Sequence, residues 1–182
     1  MRKIMSSLDI GYASIKFIVA EMNKKKLYVL TSCIVNNDAI KKDMTIDYDI
    51  LEATIKKILS DTKEKLGIEI KKTLLTIPSD SASFTINKAK IDIKNEDNLV
   101  TTDDMIKVVN LSGKNVVQDN MELVNITPLY YTLDDSSKTD KPVNTFSKTL
   151  EVQSIITSSR KDDVYKYLRV LDNLGVSVVD IS

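Results

Sequence analysis

Leu8-Asp9-Ile10-Gly11-Tyr12-Ala13-Ser14-Ile15-Lys16 joins two stretches of strand character through a single glycine. Ahead of it, residues 3–10 mix apolar and small side chains and read as a strand running into a tight turn. Behind it, residues 15–22 are rich in β-formers and read as a second strand. Asn23-Lys24-Lys25 then has hairpin composition, and residues 26–35 read as a third strand. Three consecutive strands of this kind form an antiparallel meander. Gly11 allows close backbone approach or positive φ. Amides across such a bend can point at a phosphate. Asp9, at a strand end, suits a hydrated magnesium ion, and Lys16 can reach phosphate oxygens as a point charge. The same pattern also suits an ordinary hairpin. No Walker A sequence and no G-x-G-x-x-G is present, which removes the P-loop and dinucleotide readings.

Beyond the meander, residues 49–66 follow helical spacing, with Leu51, Ile55, Ile58, Leu59 and Leu66 on one face. Asp49 is the expected cap, paired with Glu52, and Gly67 sits where a left-handed terminator belongs. Thr73 to Ile77 reads as a short strand stopped by Pro78. Ser79-Asp80-Ser81 is a polar junction and a candidate boundary. After it come a strand at 82–93, a helix at 102–112 capped by Thr102, a strand or bent pair at 121–133, and a polar loop at 134–140. A strand at 148–157 precedes a helix at 160–174. Ser159 is its expected cap, Val164, Leu168, Leu171 and Leu174 its apolar face, and Gly175 its stop. Residues 176–181 are a last strand.

Composition narrows function. The chain has 182 residues, 26 basic and 26 acidic, so its zero formal charge gives no global attraction to nucleic acid. Lys24, Lys25 and Lys26 read as solvated turn residues. There is no histidine, which excludes chemistry needing an imidazole base. The lone Cys33 forms neither an intramolecular disulfide nor a cysteine-rich zinc site and reads as a small core residue. No apolar run is long enough for a membrane-spanning helix, and the start lacks signal-peptide character. Asp103 and Asp104 suit the dipole of a helix start. Tyr130 and Tyr131 should point to opposite faces of their strand.

The run Leu8-Asp9-Ile10-Gly11, followed by Ile15-Lys16-Phe17-Ile18-Val19-Ala20-Glu21, resembles the first phosphate loop of the actin and sugar-kinase superfamily. Later motifs resemble its FtsA branch. They are Val124-Asn125-Ile126-Thr127-Pro128-Leu129-Tyr130-Tyr131-Thr132-Leu133-Asp134, Lys141-Pro142-Val143, Leu150-Glu151-Val152-Gln153-Ser154-Ile155-Ile156-Thr157 and Leu174-Gly175-Val176. The resemblance runs in order through essentially the whole chain. It implies an α/β (α+β) fold: a partial actin-like, ribonuclease H-like subdomain carrying an inserted small α/β subdomain. Residues 1–78 would be the first part of subdomain 1A, 79–175 the inserted subdomain 1C, and 176–182 a return strand into 1A.

The resemblance also implies a function. FtsA-like proteins bind ATP with Mg2+, link the FtsZ ring to the cytoplasmic face of the membrane at the division site, and recruit later division proteins. They associate with one another through 1C. By resemblance Gly11, Tyr12, Ala13, Ser14 and Lys16 would meet the nucleotide phosphates, and Asp9 would meet magnesium through water. Tyr12 and Ala13 replace hydroxyl residues usual in the family, and Ser14 a common lysine. The second phosphate loop, the adenosine loop, the FtsZ-binding subdomain and the amphipathic anchor would lie beyond this chain. It is therefore expected to be an interaction scaffold rather than an enzyme, and to bind little or no ATP alone, because a cleft needs convergent groups from both sides. A PilM-like actin-fold assembly protein, or a truncated ATPase or sugar-kinase-type phosphotransferase, is the alternative.

Overall fold

The computed structural model describes residues 3–41 and 45–182; Met1 and Arg2, which open the expected 1–78 segment, and residues 42–44 lie outside them. The chain begins with strands β1 (Lys3–Ile10), β2 (Ser14–Asn23) and β3 (Lys26–Asn36), helix α1 (Tyr48–Leu66) and strand β4 (Lys72–Thr76). Then come β5 (Ser83–Asp92), α2 (Thr102–Ser112), β6 (Met121–Thr132), β7 (Lys138–Thr139) and β8 (Thr149–Arg160). Helix α3 (Lys161–Asn173) and strand β9 (Ser177–Ile181) close the order. The chain divides into two units: Met1–Asp80 with Asp162–Ser182, and Ser81–Lys161.

The first unit is a five-stranded sheet in the order β3-β2-β1-β4-β9. β1, β2 and β3 are antiparallel, whereas β4 runs parallel to β1 and β9 parallel to β4. This is the expected ribonuclease H-like, actin-type arrangement. Period-two patterning sets its faces: Ser6, Leu8 and Ile10 on β1 and Ile15, Phe17 and Val19 on β2 are buried, while Asp9 and Lys16 point the other way. The β2–β3 turn carries positive φ at both Lys24 (46°) and Lys25 (66°), where Asn-Gly is the usual choice. For a residue with a Cβ that conformation costs about 1 kcal/mol or more.

Helix α1 buries Leu51, Ile55, Ile58 and Thr62, a stripe at helical spacing. Each buried aliphatic side chain is worth roughly 2 kcal/mol over its exposed state. Its cap is Asp47, which accepts from the Ile50 amide, and not the expected Asp49. Asp49 is already inside the first turn, where it favours the dipole instead. Gly67 ends the helix in the left-handed conformation (φ 66°), as its place in the sequence predicts.

The second unit is an antiparallel sheet, β5-β8-β6-β7, with α2 on one face. Its core is Ile93, Val100, Val108, Tyr131, Leu133, Leu150 and Val152. Helix α2 is capped by Thr101, one residue before the expected Thr102, and Asp104 completes a capping box. Ser112 Oγ lies 3.0 Å from Ser154 Oγ, and Asn87 donates to the Ser112 carbonyl at 2.8 Å, so the helix end sits on the sheet with its polar groups paired. Gly113 permits that approach: a Cβ there would stand 2.5 Å from Ile126 Cδ1. The segment 121–133 is one strand interrupted by two register shifts, and the loop 134–140 contains the short β7. Tyr131 is buried. Tyr130 donates to Gln153 Oε1 at 2.6 Å and lies under Lys138 Nζ, 4.2 Å from the ring centre.

The insert was expected to span 79–175, and the structure ends it at Lys161. Ser159 is not a helix cap, because β8 continues to Arg160 and Ser159 Oγ meets Ser81 Oγ at 2.6 Å. Helix α3 groups with the first unit for a packing reason. Its buried Tyr167 meets Tyr48 edge to face with ring centroids 6.0 Å apart, and Asn173 donates to Glu52 at 2.9 Å. Among the described residues no helix is long and apolar enough to cross a membrane.

Candidate functional site, the bend after the first strand

β1, β4 and β9 are parallel, so their carboxyl ends lie along one edge of the sheet. Asp9 is in register with Thr76, and Thr76 Oγ1 meets Ser182 Oγ at 3.0 Å. The bend from Gly11 to Ala13 leaves the sheet at this same edge, the place where open α/β sheets generally receive ligands.

Two hydrogen bonds shape the bend. The Gly11 amide donates to the Ser14 carbonyl at 3.0 Å, and the Gly11 carbonyl accepts from Asn37 Nδ2 at 2.7 Å. Asn37 is itself buried and held by the Ala39 amide, while its own amide donates to the Ala13 carbonyl at 3.1 Å. Of the two alternatives read at Gly11, close backbone approach or positive φ, the structure shows the first: only Gly67 and Gly175 have positive φ among the glycines described. Glycine is favoured by space instead, since a Cβ would stand 3.1 Å from the Ser14 carbonyl oxygen.

Since the Gly11 N–H is committed, the amides left at the tip to face an anion are those of Tyr12 and Ala13, both exposed. Asp9 and Lys16 are direct cross-strand partners, and Lys16 Nζ lies 2.7 Å from Asp9 Oδ2. This exposed pair adds little stability. It does place one carboxylate and one ammonium beside the bend. Among the described residues no group of three or more acidic or cysteine side chains could hold a metal. Asp9 therefore fits only an outer-shell contact to a hydrated magnesium that takes its other ligands from phosphate and water.

Asn37 and Asp80 were not singled out from the sequence as parts of this site. The Tyr12 hydroxyl is held above the ordinary phenol range, by desolvation first and by the neighbouring Asp80 second. Tyr167 is pushed up further, by burial first and then by the charges of Tyr48, Asp80, Asp163 and Tyr12. Asn37 offered one local signal, a polar residue just past a strand end. Asp80 offered none, being 68 positions from its partner. Cys33, expected in the core, is half-buried; burial and then the charge of Asp61 push its thiol up, which disfavours the reactive thiolate.

A ribonuclease H-like sheet with a tight bend after its first strand, interrupted after β4 by a separate β5-α2-β6-β7-β8 unit, is the fold of a partial actin-like domain. Residues 80–158 match the family described as the SHS2 domain inserted in FTSA, a span that holds β5, α2, β6, β7 and most of β8. The chain is 21% identical to the cell division protein FtsA of Bacillus subtilis over 96% of its length, and 22% identical to that of Streptococcus pneumoniae over 97%. The resemblance to FtsA seen in the sequence thus holds along the chain, which spans 40% and 38% of those two relatives. A solved PilM–PilN type IV pilus biogenesis complex shares the fold, with TM-score 0.61 and 13% identity, covering 98% of this chain and 46% of that one.

Proposed function

We propose that this chain forms the amino-terminal actin-like part of an FtsA-type cell-division scaffold. The carrying observation is the insert: a domain matching that of FtsA leaves the first sheet after β4 and returns to it before α3 and β9. In this reading the bend is one wall of an ATP phosphate site. Tyr12 and Ala13 turn their amides to the phosphates, while Gly11, Ser14 and Asn37 hold the bend in shape. Lys16 exchanges its contact with Asp9 for a phosphate oxygen, which leaves the Asp9 carboxylate for a magnesium-bound water. Magnesium, when bound with ATP, supplies neutralisation of phosphate charge.

The work is binding and assembly rather than catalysis. The insert contacts neighbouring copies and other division proteins, and the whole protein links the FtsZ ring to the cytoplasmic face of the membrane. The likeness to the PilM–PilN complex favours a second reading, an actin-fold assembly protein of the PilM kind. Depletion of the protein that carries this chain, in its own cells, separates the two. Filaments without septa are expected, and normal cell length would contradict the division role.

A further inference from the structure

Four strands stand at the edges of the two sheets, and three of them are guarded against pairing with another chain. β9 has only five residues and includes Asp180, β7 has two residues, and β5 carries Lys88, Lys90 and Asp92. Short length and charge are the usual protections of an open edge. β3 differs. It has 11 residues, pairs with β2 alone among the described strands, and from Leu27 to Asn36 contains no charge, proline or glycine. Its one protection is a register shift opposite Val19 and Ala20, which leaves Thr31–Asn36 regular. Apolar side chains stand open along it, with Ile34 71% exposed, Val29 58% and Leu27 57%.

We propose that the open edge of β3 is a self-association site, where a second copy of this chain adds its own β3 antiparallel about a two-fold axis. This goes beyond the division role, which places self-association on the insert. An added strand pairs the free N–H and C=O groups of 26–36, which apolar contact alone would not. The charge pattern favours a second copy. Lys24, Lys25 and Lys26 stand at one end of the strand, and uncharged Asn36 and exposed Asp38 at the other. A two-fold axis reverses the ends, so each lysine cluster lies alongside the partner's Asn36–Asp38 end and not against the partner's lysines.

Sedimentation of the chain across a concentration series tests this. A monomer–dimer equilibrium is expected. Ile34→Lys and Val29→Lys should each raise the dimer dissociation constant about tenfold or more, and Phe84→Lys and Ile86→Lys on β5 should leave it unchanged. A chain that stays monomeric at every concentration, or a dimer broken only by the β5 changes, would overturn the proposal. A second readout covers variants that fail to fold. Single cysteines placed in turn at positions 29–36, in a Cys33→Ser background, are exposed to an oxidant. Antiparallel pairing gives disulfide dimer peaking at one position and falling on both sides, and no crosslink at any position would overturn it.

Discussion

At Gly11 a methyl group would press on the Ser14 carbonyl, while the residue's own N–H and C=O are tied to Ser14 and Asn37. The residue thus shapes the bend, and in the proposed function Tyr12 and Ala13 turn their amides to the phosphates. Tyr12 in turn feels the charge of Asp80, which also acts on the buried Tyr167. The raised hydroxyl of Tyr167 has a consequence for stability. Its folded pKa lies above the ordinary value of 10.0, so the stabilisation is fully present below pH 10 and is lost as pH rises beyond it. Thermal melts between pH 8 and pH 11 should show Tm falling above about pH 10, and Tyr167→Phe should flatten that fall. An equal fall in the variant would contradict the assignment.

At the scale of elements, caps test how the helices begin. Asp47→Ala should cost about 1 kcal/mol in denaturant unfolding, and Asp49→Ala only a few tenths. Reversal of that order would contradict the observed cap. Thr101→Ala should resemble Asp47→Ala, with Thr102→Ala close to neutral. The expected caps at Asp49 and Thr102 were misplaced for local reasons: Glu52 stands three residues after Asp49, and Thr101 and Thr102 are adjacent and chemically alike; only backbone geometry shows which residue precedes the first turn. The strands β1 and β2, by contrast, were legible from their apolar and β-forming residues, and the structure adds the period-two alternation that one buried face imposes. The bend could be found from Gly11 and its flanking strands. Its support by Asn37 and Asp80 could not, since those contacts depend on long-range closure of the chain. Helix α3 was misassigned for the same reason. Its apolar face was plain, but nothing local says that Tyr167 meets Tyr48 rather than the insert.

The whole chain combines a five-stranded actin-type sheet with an inserted unit that has its own core and its own satisfied polar contacts. The sheet edge formed by β1, β4 and β9 carries the bend, Asp9 and Thr76, and the proposed function makes it one side of a phosphate site. Such a wall should bind nucleotide weakly and locally, because affinity requires groups converging from several directions. The most direct measurement is a titration of the isotopically labelled chain with magnesium-ATP, followed amide by amide by NMR. Non-saturating shifts confined to Tyr12, Ala13 and their neighbours from Asp9 to Lys16 are predicted. Silence at those amides, or shifts centred in the insert, would contradict a phosphate-holding role for the bend.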